Sequence, residues 1–461
     1  RLVEGNKDIS ISGNPMSDAD GKAQTIYYDF TVEGISNVAM DLKYYIYLSP
    51  KKDGNTVDSK YVKVYLTKVE NNDETVVVDV VSIDSLERFY GGKVVGNQTF
   101  NFTTNIKTTK TSTYRLRAWI SQDAVLQEET NPIVDKTDDG VNISGMSGGY
   151  QFNIGVTTDL VEPALKFAKE NVGKGGLELV THEIDNTLQV DNKFATEYRY
   201  RGGDSVVKNY VTFNNETWRI IGVIPTEDTN GNVENRIKII RDTSIGNMKW
   251  NETQDTATNT YNNWVTGTLN TYLNNDYYNT LTTDAKNMIG TTKYYLGGYS
   301  DTYNINSDTM WQYERKKKNG NDCKYDYDNN SQSGTECYFV NINPIMQNDS
   351  DKKIAIMYTS DYGYAASKKC TSNLYGYSSS TDCKTTNNWL DKSEATWLLS
   401  QDTTFYGSSG AFAISSTGSV NYDVNTGLGQ CNVYPVLTLS SNVKISSGTG
   451  TSSEPYQLSI S

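Results

Sequence analysis

His182 is the only imidazole in a chain of 461 residues. Histidine is the side chain that shuttles protons most readily near neutral pH, so a single copy argues against histidine-dependent catalysis and against multi-histidine metal sites. Thr181 precedes it and Glu183 follows. No GxSxG elbow accompanies it, and a nucleophile–base–orienter arrangement is not expected. Paired carboxylates act as acid and base in other enzymes, but 55 acidic residues offer so many pairs that spacing singles out none. Arg201-Gly202-Gly203-Asp204-Ser205 carries a glycine pair without the phosphate-loop pattern, and a surface turn is expected there. No catalytic residue is assigned. The chain is not expected to be an enzyme, a carbohydrate-active one ranking only third among its functions.

The cysteines carry more structural information. Cys323 and Cys337 bracket KYDYDNNSQSGTE, and Cys370 and Cys383 bracket TSNLYGYSSSTD. A disulfide closing either loop of about 13 residues contributes roughly 3 kcal/mol by restricting the unfolded chain. Both pairs are expected to close, with free thiols in a reducing compartment as the alternative. No CxxC pair favours zinc. Cys431 is left over in the strand-like CNVYPVLTL; burial is expected, and pairing with another chain is the alternative.

Two further patterns suit ligands. Asp322–Asp328 (DCKYDYD) and the weaker Asp18-Ala19-Asp20 are oxygen-rich, but neither has EF-hand spacing. No cofactor is therefore expected, with structural calcium as the alternative. Trp311, Tyr313, Trp389, Trp397 and Tyr406 lie in or beside long polar insertions. Aromatic faces stack on sugars while amides and hydroxyls orient them, so these five form a candidate ligand face. Each ring is equally suited to a core.

Composition narrows the setting. The chain carries a net charge of −13, only 21% charged residues and 34 tyrosines. Phosphate recognition needs Lys and Arg. The one basic run, Lys316-Lys317-Lys318, reads as a solvated loop, and no nucleic-acid partner is expected. No stretch of 18 or more apolar residues exists, so no transmembrane segment is expected. The start at Arg1 rather than Met is read as a processed or truncated chain. A Tyr- and Thr-rich, weakly charged chain suits secreted β-structure.

The elements follow from periodicity. Ile9-Ser10-Ile11-Ser12 alternates as a half-buried strand does. Strand patterns recur at IYYDFTV, DLKYYIYL, YVKVYL, TVVVDVV, TFNFT, TYRLRAWI and GYQFNIGV, with turns at Asn72-Asp73 and Gly91-Gly92. Trp119 is expected in the core. Asp159 to Asn171 has helical spacing ended by Gly173, with Thr158 or Asp159 as its cap. Beyond Glu178 the pattern is mixed. Asn214-Asn215 makes a hairpin turn, Asn263 to Tyr278 reads as a helix with Leu269, Leu273 and Tyr277 on one face, and long polar insertions fill 301–351 and 371–411. The expected fold is mainly β: an N-terminal β-sandwich, jelly-roll or immunoglobulin-like, followed by an α+β domain with long polar loops. The expected parts are an extended segment at 1–15 that could serve as a donor strand, a sandwich at 16–157, a linking helix at 158–177 and a surface-displayed domain at 178–461.

The segments ISISGNPMSDADGKAQTIYYDFTVEG, YIYLS, SKYVKVYL and TYRLRAWIS resemble the TasA/camelysin family of β-sandwich surface proteins of Gram-positive bacteria, over residues 8–156. That resemblance implies an N-terminal leader, export and, in fibre-forming members, an N-terminal strand that completes the sheet of the next subunit. Here Glu4, Ile9 and Ile11 would carry that role. The stretch from Tyr198 to Ile460, including YVTFNNETWRIIGVI, NNWVTGTLNTYLNNDYY and the VYPVLTLSSNVKISSGTGTSSEPYQL ending, resembles an uncharacterised surface domain of gut Gram-positive bacteria. Its order of WLLS, AFAISSTGSV and VYPVLTL is similar to C-type-lectin-like folds. Tyr434 stands where those relatives commonly have arginine. Neither resemblance implies catalytic residues. The leading expectation is an extracellular, cell-surface subunit of a filament or pilus-like appendage, partnered by copies of itself through strand complementation. The alternative is a cell-surface adhesin that binds host glycans or surface proteins through its C-terminal domain.

Overall fold

The computed structural model describes residues 2–5, 8–51, 55–89, 91–126, 136–137, 140–141, 149–185, 190–228, 231–252, 264, 267–295, 303–315, 325–326, 331–332, 353–401, 410–427 and 429–460. Lys316-Lys317-Lys318, Cys323, Cys337, Tyr406 and most of the Asp322–Asp328 loop lie outside the described residues. The fold is mixed, with several β-sheets and scattered short helices. Two units divide the chain, Arg1–Val161 and Glu162–Ser461. Among the described residues no helix is long and apolar enough to cross a membrane.

The first unit is built from β1 (Leu2–Gly5), β2 (Asp8–Ser12), α1 (Asp18–Ala23), β3 (Tyr28–Ser36), β4 (Met40–Pro50), β5 (Val62–Glu70), β6 (Asp73–Ser82), β7 (Glu87–Phe89), β8 (Gly92–Phe102), β9 (Thr108–Ile120), α2 (Asp123–Leu126), the short pair β10 (Lys136–Thr137) and β11 (Gly140–Val141), and β12 (Gly149–Thr157). Two five-stranded sheets form, in the orders β1-β3-β9-β5-β6 and β2-β12-β4-β8-β7. Side chains from both enter one core: Phe30, Val64, Tyr114 and Leu116 from the first sheet, Ile9, Ile46, Leu48 and Phe152 from the second. The alternation read in the sequence is the cause. In β2 the isoleucines are buried while Asp8, Ser10 and Ser12 are exposed, as a period of two requires when one face is covered. The turn after β5 falls at Asn71-Asn72, one residue before the expected Asn72-Asp73. Both asparagines are left-handed, at φ 52° and 68°, the conformation a two-residue hairpin demands. Trp119 lies in the core with 1% exposure. Gly21 makes room for it, since a β-carbon there would stand 2.3 Å from the indole.

On the first sheet a charge cluster spans four strands. Glu74 accepts from Arg117 at 2.6 and 2.9 Å, from Arg115 at 2.8 Å and from the Thr67 hydroxyl at 2.8 Å. Arg115 also grips Asp29 through two nitrogens. The Arg117 hydrogen bonds, with those of Thr67 and Arg115, outweigh partial burial and draw the Glu74 carboxyl from 4.5 down to about 2. A carboxyl depressed on folding stabilises above its unfolded pKa, and that contribution disappears as pH falls through the folded value. The window is therefore pH 4.5 to about 2. After allowance for solvent screening, Glu74→Gln should cost about 2 kcal/mol at pH 7. It should also flatten the acid limb of stability in that window, measured by denaturant titration at successive pH values. Equal acid sensitivity in the variant would refute the assignment.

The second unit opens with α3 (Pro163–Asn171), then β13 (Leu177–Thr181), β14 (Thr196–Tyr200), β15 (Tyr210–Phe213), β16 (Glu216–Glu227), β17 (Val233–Arg241), β18 (Asn247–Met248), α4 (Thr268–Tyr272), a π-turn at Leu273–Tyr277, α5 (Tyr278–Thr280), α6 (Thr283–Met288) and α7 (Ser307–Arg315). It continues with β19 (Tyr325–Asp326), β20 (Ser331–Gln332), β21 (Ile354–Ala355), α8 (Thr359–Ala365), β22 (Thr396–Gln401), β23 (Gly410–Ile414), β24 (Val420–Asn425), β25 (Cys431–Asn432), β26 (Val436–Thr438), β27 (Val443–Ser447) and β28 (Gln457–Ile460). The main sheet runs β13-β14-β16-β17-β26-β21, with β15 paired beside β16. A second sheet runs β18-β25-β22-β23-β24, and β27-β28 form a hairpin. Residues Trp218 to Thr226 of β16 are buried on both faces, which is why WRIIGVI reads as an unbroken apolar run rather than an alternation.

Two expectations change here. The first helix begins at Pro163 with Glu162 as its cap, not Thr158 or Asp159. Proline suits the first helical position and no later one. The helix expected over Asn263 to Tyr278 is a shorter composite, since α4, the π-turn and α5 cover Thr268 to Thr280. Leu269, Leu273 and Tyr277 are nevertheless all buried in one core. The first helix, read from the sequence as beginning the second part or bridging the two, falls within Glu162–Ser461.

Cys370 and Cys383 form a disulfide across 13 residues, and Cys431 is a buried free thiol. The bridged loop is polar, yet Leu374 and Tyr377 anchor it in the core. The Tyr377 hydroxyl donates to the Gly363 carbonyl at 3.1 Å. Cys383→Ser should destabilise the second unit by roughly 3 kcal/mol, read as a lower denaturation midpoint. Burial pushes the Cys431 thiol up to about 11. Native protein should leave Cys431 unalkylated until it is denatured, as thiol mapping by mass spectrometry would show.

Candidate functional site

The assembly residues come first. β1 and β2 are each the outermost strand of their sheet. Glu4 stands opposite Thr31 in the antiparallel register of β1 with β3. Ile9 faces Phe152 and Ile11 faces Tyr150 in the register of β2 with β12. Ile9 is 1% exposed and Ile11 7%, so both act as core anchors for a strand whose other face is polar. The Tyr28 hydroxyl donates to the Ser10 carbonyl at 3.0 Å, and Lys51 reaches Asp8 at 3.4 Å. The opening segment therefore does not stand apart: in the single chain it completes both sheets of its own unit.

The aromatic ligand face is not assembled. Trp311, Trp389 and Trp397 are 0–1% exposed, and a stacking platform needs a free ring face. Trp389 donates its indole N–H to the Tyr200 carbonyl at 2.9 Å, and Trp397 donates to the Met248 carbonyl at 2.8 Å. Tyr313 is half-buried against the core. These three indoles are therefore core residues although they stand in polar sequence.

Sequence reasoning missed a buried charge network around His182. Six segments supply it: the end of β13, β14, β17, α7, α8 and β22. The His182 ring stacks on Trp311 at 3.7 Å with 9° between planes. Its Nδ1 lies 2.7 Å from the Asp308 carboxylate, which also accepts from the Tyr364 hydroxyl at 2.9 Å. Its Nε2 faces Glu197 at 3.5 Å. Glu197 accepts the Trp311 indole N–H at 2.7 Å and pairs with Arg199. Arg199 reaches Asp361 at 2.8 Å, and Lys238 reaches the other Asp361 oxygen at 2.5 Å. The Tyr358 backbone N–H donates to Asp361 at 2.9 Å, closing a capping box on α8. Glu314 accepts from the Ser360 backbone N–H at 2.8 Å and from Ser400 at 3.2 Å, and lies 3.3 Å from Arg315.

Except for Asp308, these charged side chains are almost completely buried. Burial opposes charge on Glu197, yet Arg199, His182 and Arg315 hold its carboxyl well below the usual range. Burial likewise opposes Asp361, and Lys238 with Arg199 draws it down. For Glu314 burial wins and its pKa rises. Three cations, Arg199, Lys238 and Arg315, match three carboxylates, Glu197, Asp361 and Glu314. His182 and Asp308 form a fourth pair at the edge. The network ties strands to helices and is buried apart from Asp308 at its edge; most of its polar atoms face one another, while Arg199 Nη2 and His182 Nε2 make no hydrogen bond among the described residues. Among the described residues no cluster of His, Cys, Asp and Glu suited to a metal ion is found. The sequence signal available was charge set inside strands, Glu197 and Arg199 in TEYRY and Lys238 in the otherwise apolar IKII.

These features define a two-unit, sheet-rich chain whose first unit carries both opening strands on sheet edges. Comparison with protein-family models, curated proteins and solved structures found no match for this chain.

Proposed function

We propose that this chain is a structural subunit of an extracellular filament or pilus-like appendage on a bacterial surface, joined by exchange of the opening strand. In this reading the two sheets of the first unit are a β-sandwich of the TasA/camelysin kind, and the second unit is displayed. The observation that supports it is the placement of β2, an edge strand held by two isoleucines and one ladder of backbone hydrogen bonds. Donation by a neighbouring copy would keep every one of those contacts and change only the chain that supplies them, the logic shared by strand addition and domain swapping. Export accords with the Cys370–Cys383 disulfide, since such bonds persist in oxidising surroundings.

Register provides the test. Ser10 stands opposite Gln151. A chain carrying Ser10→Cys is mixed with one carrying Gln151→Cys under assembling conditions, then oxidised. Strand exchange yields a disulfide between the two chains and fibres by electron microscopy. A monodisperse monomer that forms no such cross-link would sink the reading. A second reading, a surface adhesin, is favoured by one observation: a cleft in the second unit with an aromatic floor and a polar, cationic rim.

A further inference from the structure

The cleft, about 380 Å³, lies between α3, the turn that follows it, the β27–β28 hairpin and the segment before β15. Its floor is aromatic. Phe167 meets Tyr456 edge to face at 5.4 Å. Tyr200 lies beneath, 2% exposed, so the partly exposed rings of the floor are those of Phe167 and Tyr456. The walls are polar, from Asn171, Ser446, Ser447 and Thr449, and the two ionisable side chains other than tyrosine that line it are lysines, Lys174 and Lys208. Lys174 places its ammonium on the Glu170 carbonyl at 2.7 Å. Among the described residues no carboxylate lines the cleft. The nearby Glu454 is engaged by the Thr449 hydroxyl at 3.0 Å.

The surrounding backbone is built for close approach. Gly175 has φ +53°, and a β-carbon on it would stand 2.9 Å from the Lys208 side chain. Gly450 has φ +75°, and a β-carbon there would meet the Lys208 carbonyl and the Tyr456 ring, each at 2.4 Å. Hydrogen bonds lock the three segments together: Lys208 N–H to the Gly175 carbonyl at 2.9 Å, Tyr210 N–H to the Gly450 carbonyl at 3.0 Å and Thr212 N–H to the Tyr456 carbonyl at 2.9 Å. The cleft is therefore preformed, which lowers the entropic cost of binding.

We propose that this cleft binds an acidic saccharide, a sugar residue bearing a carboxylate. Sugars offer C–H faces to aromatic rings and hydroxyls to serine, threonine and asparagine, the mixed lining found here. The lysines select the charge. On a chain of net charge −13, an anionic ligand is repelled at long range, and two cations in a cleft free of carboxylates supply the local attraction. The inference extends the adhesin reading but is independent of strand exchange, because a monomer would bind equally well. Failure of the cross-linking test leaves it untouched.

Calorimetry of the full chain with trigalacturonate, maltotriose and inorganic phosphate tests it. Trigalacturonate should bind at least about tenfold more tightly than either control, and more weakly as salt rises. The double variant Lys174→Ser/Lys208→Ser alters exposed side chains and should keep the wild-type circular dichroism spectrum. It should lose about tenfold or more of that affinity. Three results would overturn the proposal: no saturable binding up to about 10 mM, maltotriose or phosphate binding as well as the uronate, or a double variant that binds undiminished.

Discussion

Asp361→Asn should lower the stability of the second unit by about 3 kcal/mol at pH 7, in the range found when one partner of a buried ion pair is removed. Asp361 is shared by Arg199 and Lys238 and caps α8 through the Tyr358 backbone N–H. Arg199 retains Glu197 after the substitution, but Lys238 has no other acidic partner at hydrogen-bond distance among the described residues. Burial already pulls the Lys238 pKa below its ordinary 10.5, and without Asp361 it should fall further. A lysine whose folded pKa is depressed binds fewer protons folded than unfolded. The variant's stability should therefore rise as pH climbs from the folded value towards 10.5, with the sign set by linkage. Six of the seven tryptophans lie in this unit, so fluorescence-monitored denaturation reads it almost alone. The double variant Asp361→Leu/Lys238→Met should recover part of the loss, since apolar replacement of a whole buried pair is often neutral. An unaltered midpoint in the single variant would show that the network contributes nothing to the fold.

Ile9→Asp combined with Ile11→Asp should expel β2 from the first unit, at a cost above the roughly 2–5 kcal/mol typical of truncating one buried isoleucine to alanine. Two carboxylates would enter a core lined by Phe152 and Tyr150, where charge without a partner is not tolerated. The β12 edge would then stand open, one side of its ladder unpaired. A synthetic peptide spanning residues 2–14 should bind that edge and restore the stability of the first unit if the slot accepts a strand in trans. Rescue by the peptide, measured by thermal melting, joins stability to assembly in one experiment. A variant that melts like the wild type would mean the strand is dispensable, and strand exchange would then lack its energetic basis.

Local pattern carried the reading of the first unit. The period of two in Ile9-Ser10-Ile11-Ser12 and in β3, β4 and β9 names the buried face of each strand before any partner is known, because one face of a pleated sheet must be apolar. The Asn214-Asn215 turn, both residues at positive φ, was legible for a related reason: few other residues accept that backbone; the first-unit turn was placed one residue late, at Asn72-Asp73 instead of Asn71-Asn72. The Cys370–Cys383 bridge was legible because 13 residues is a short span to close.

What the sequence by itself determined is thus local: which residues become strands, which faces turn inward and where hairpins bend. The tertiary structure alone decided which distant groups meet. His182 and Asp308 are separated by 126 positions, and Arg199 and Asp361 by 162. No periodicity encodes such a pairing, because a buried charge acquires its partner only when whole elements dock. The same holds for Trp311, Trp389 and Trp397. Their polar neighbours in sequence suggest exposure, whereas their neighbours in space remove every free ring face. The cleft of Phe167, Tyr200 and Tyr456 draws on residues nearly 300 positions apart; backbone sterics and side-chain alternation act over a few residues, while packing is free to join the two ends of a domain.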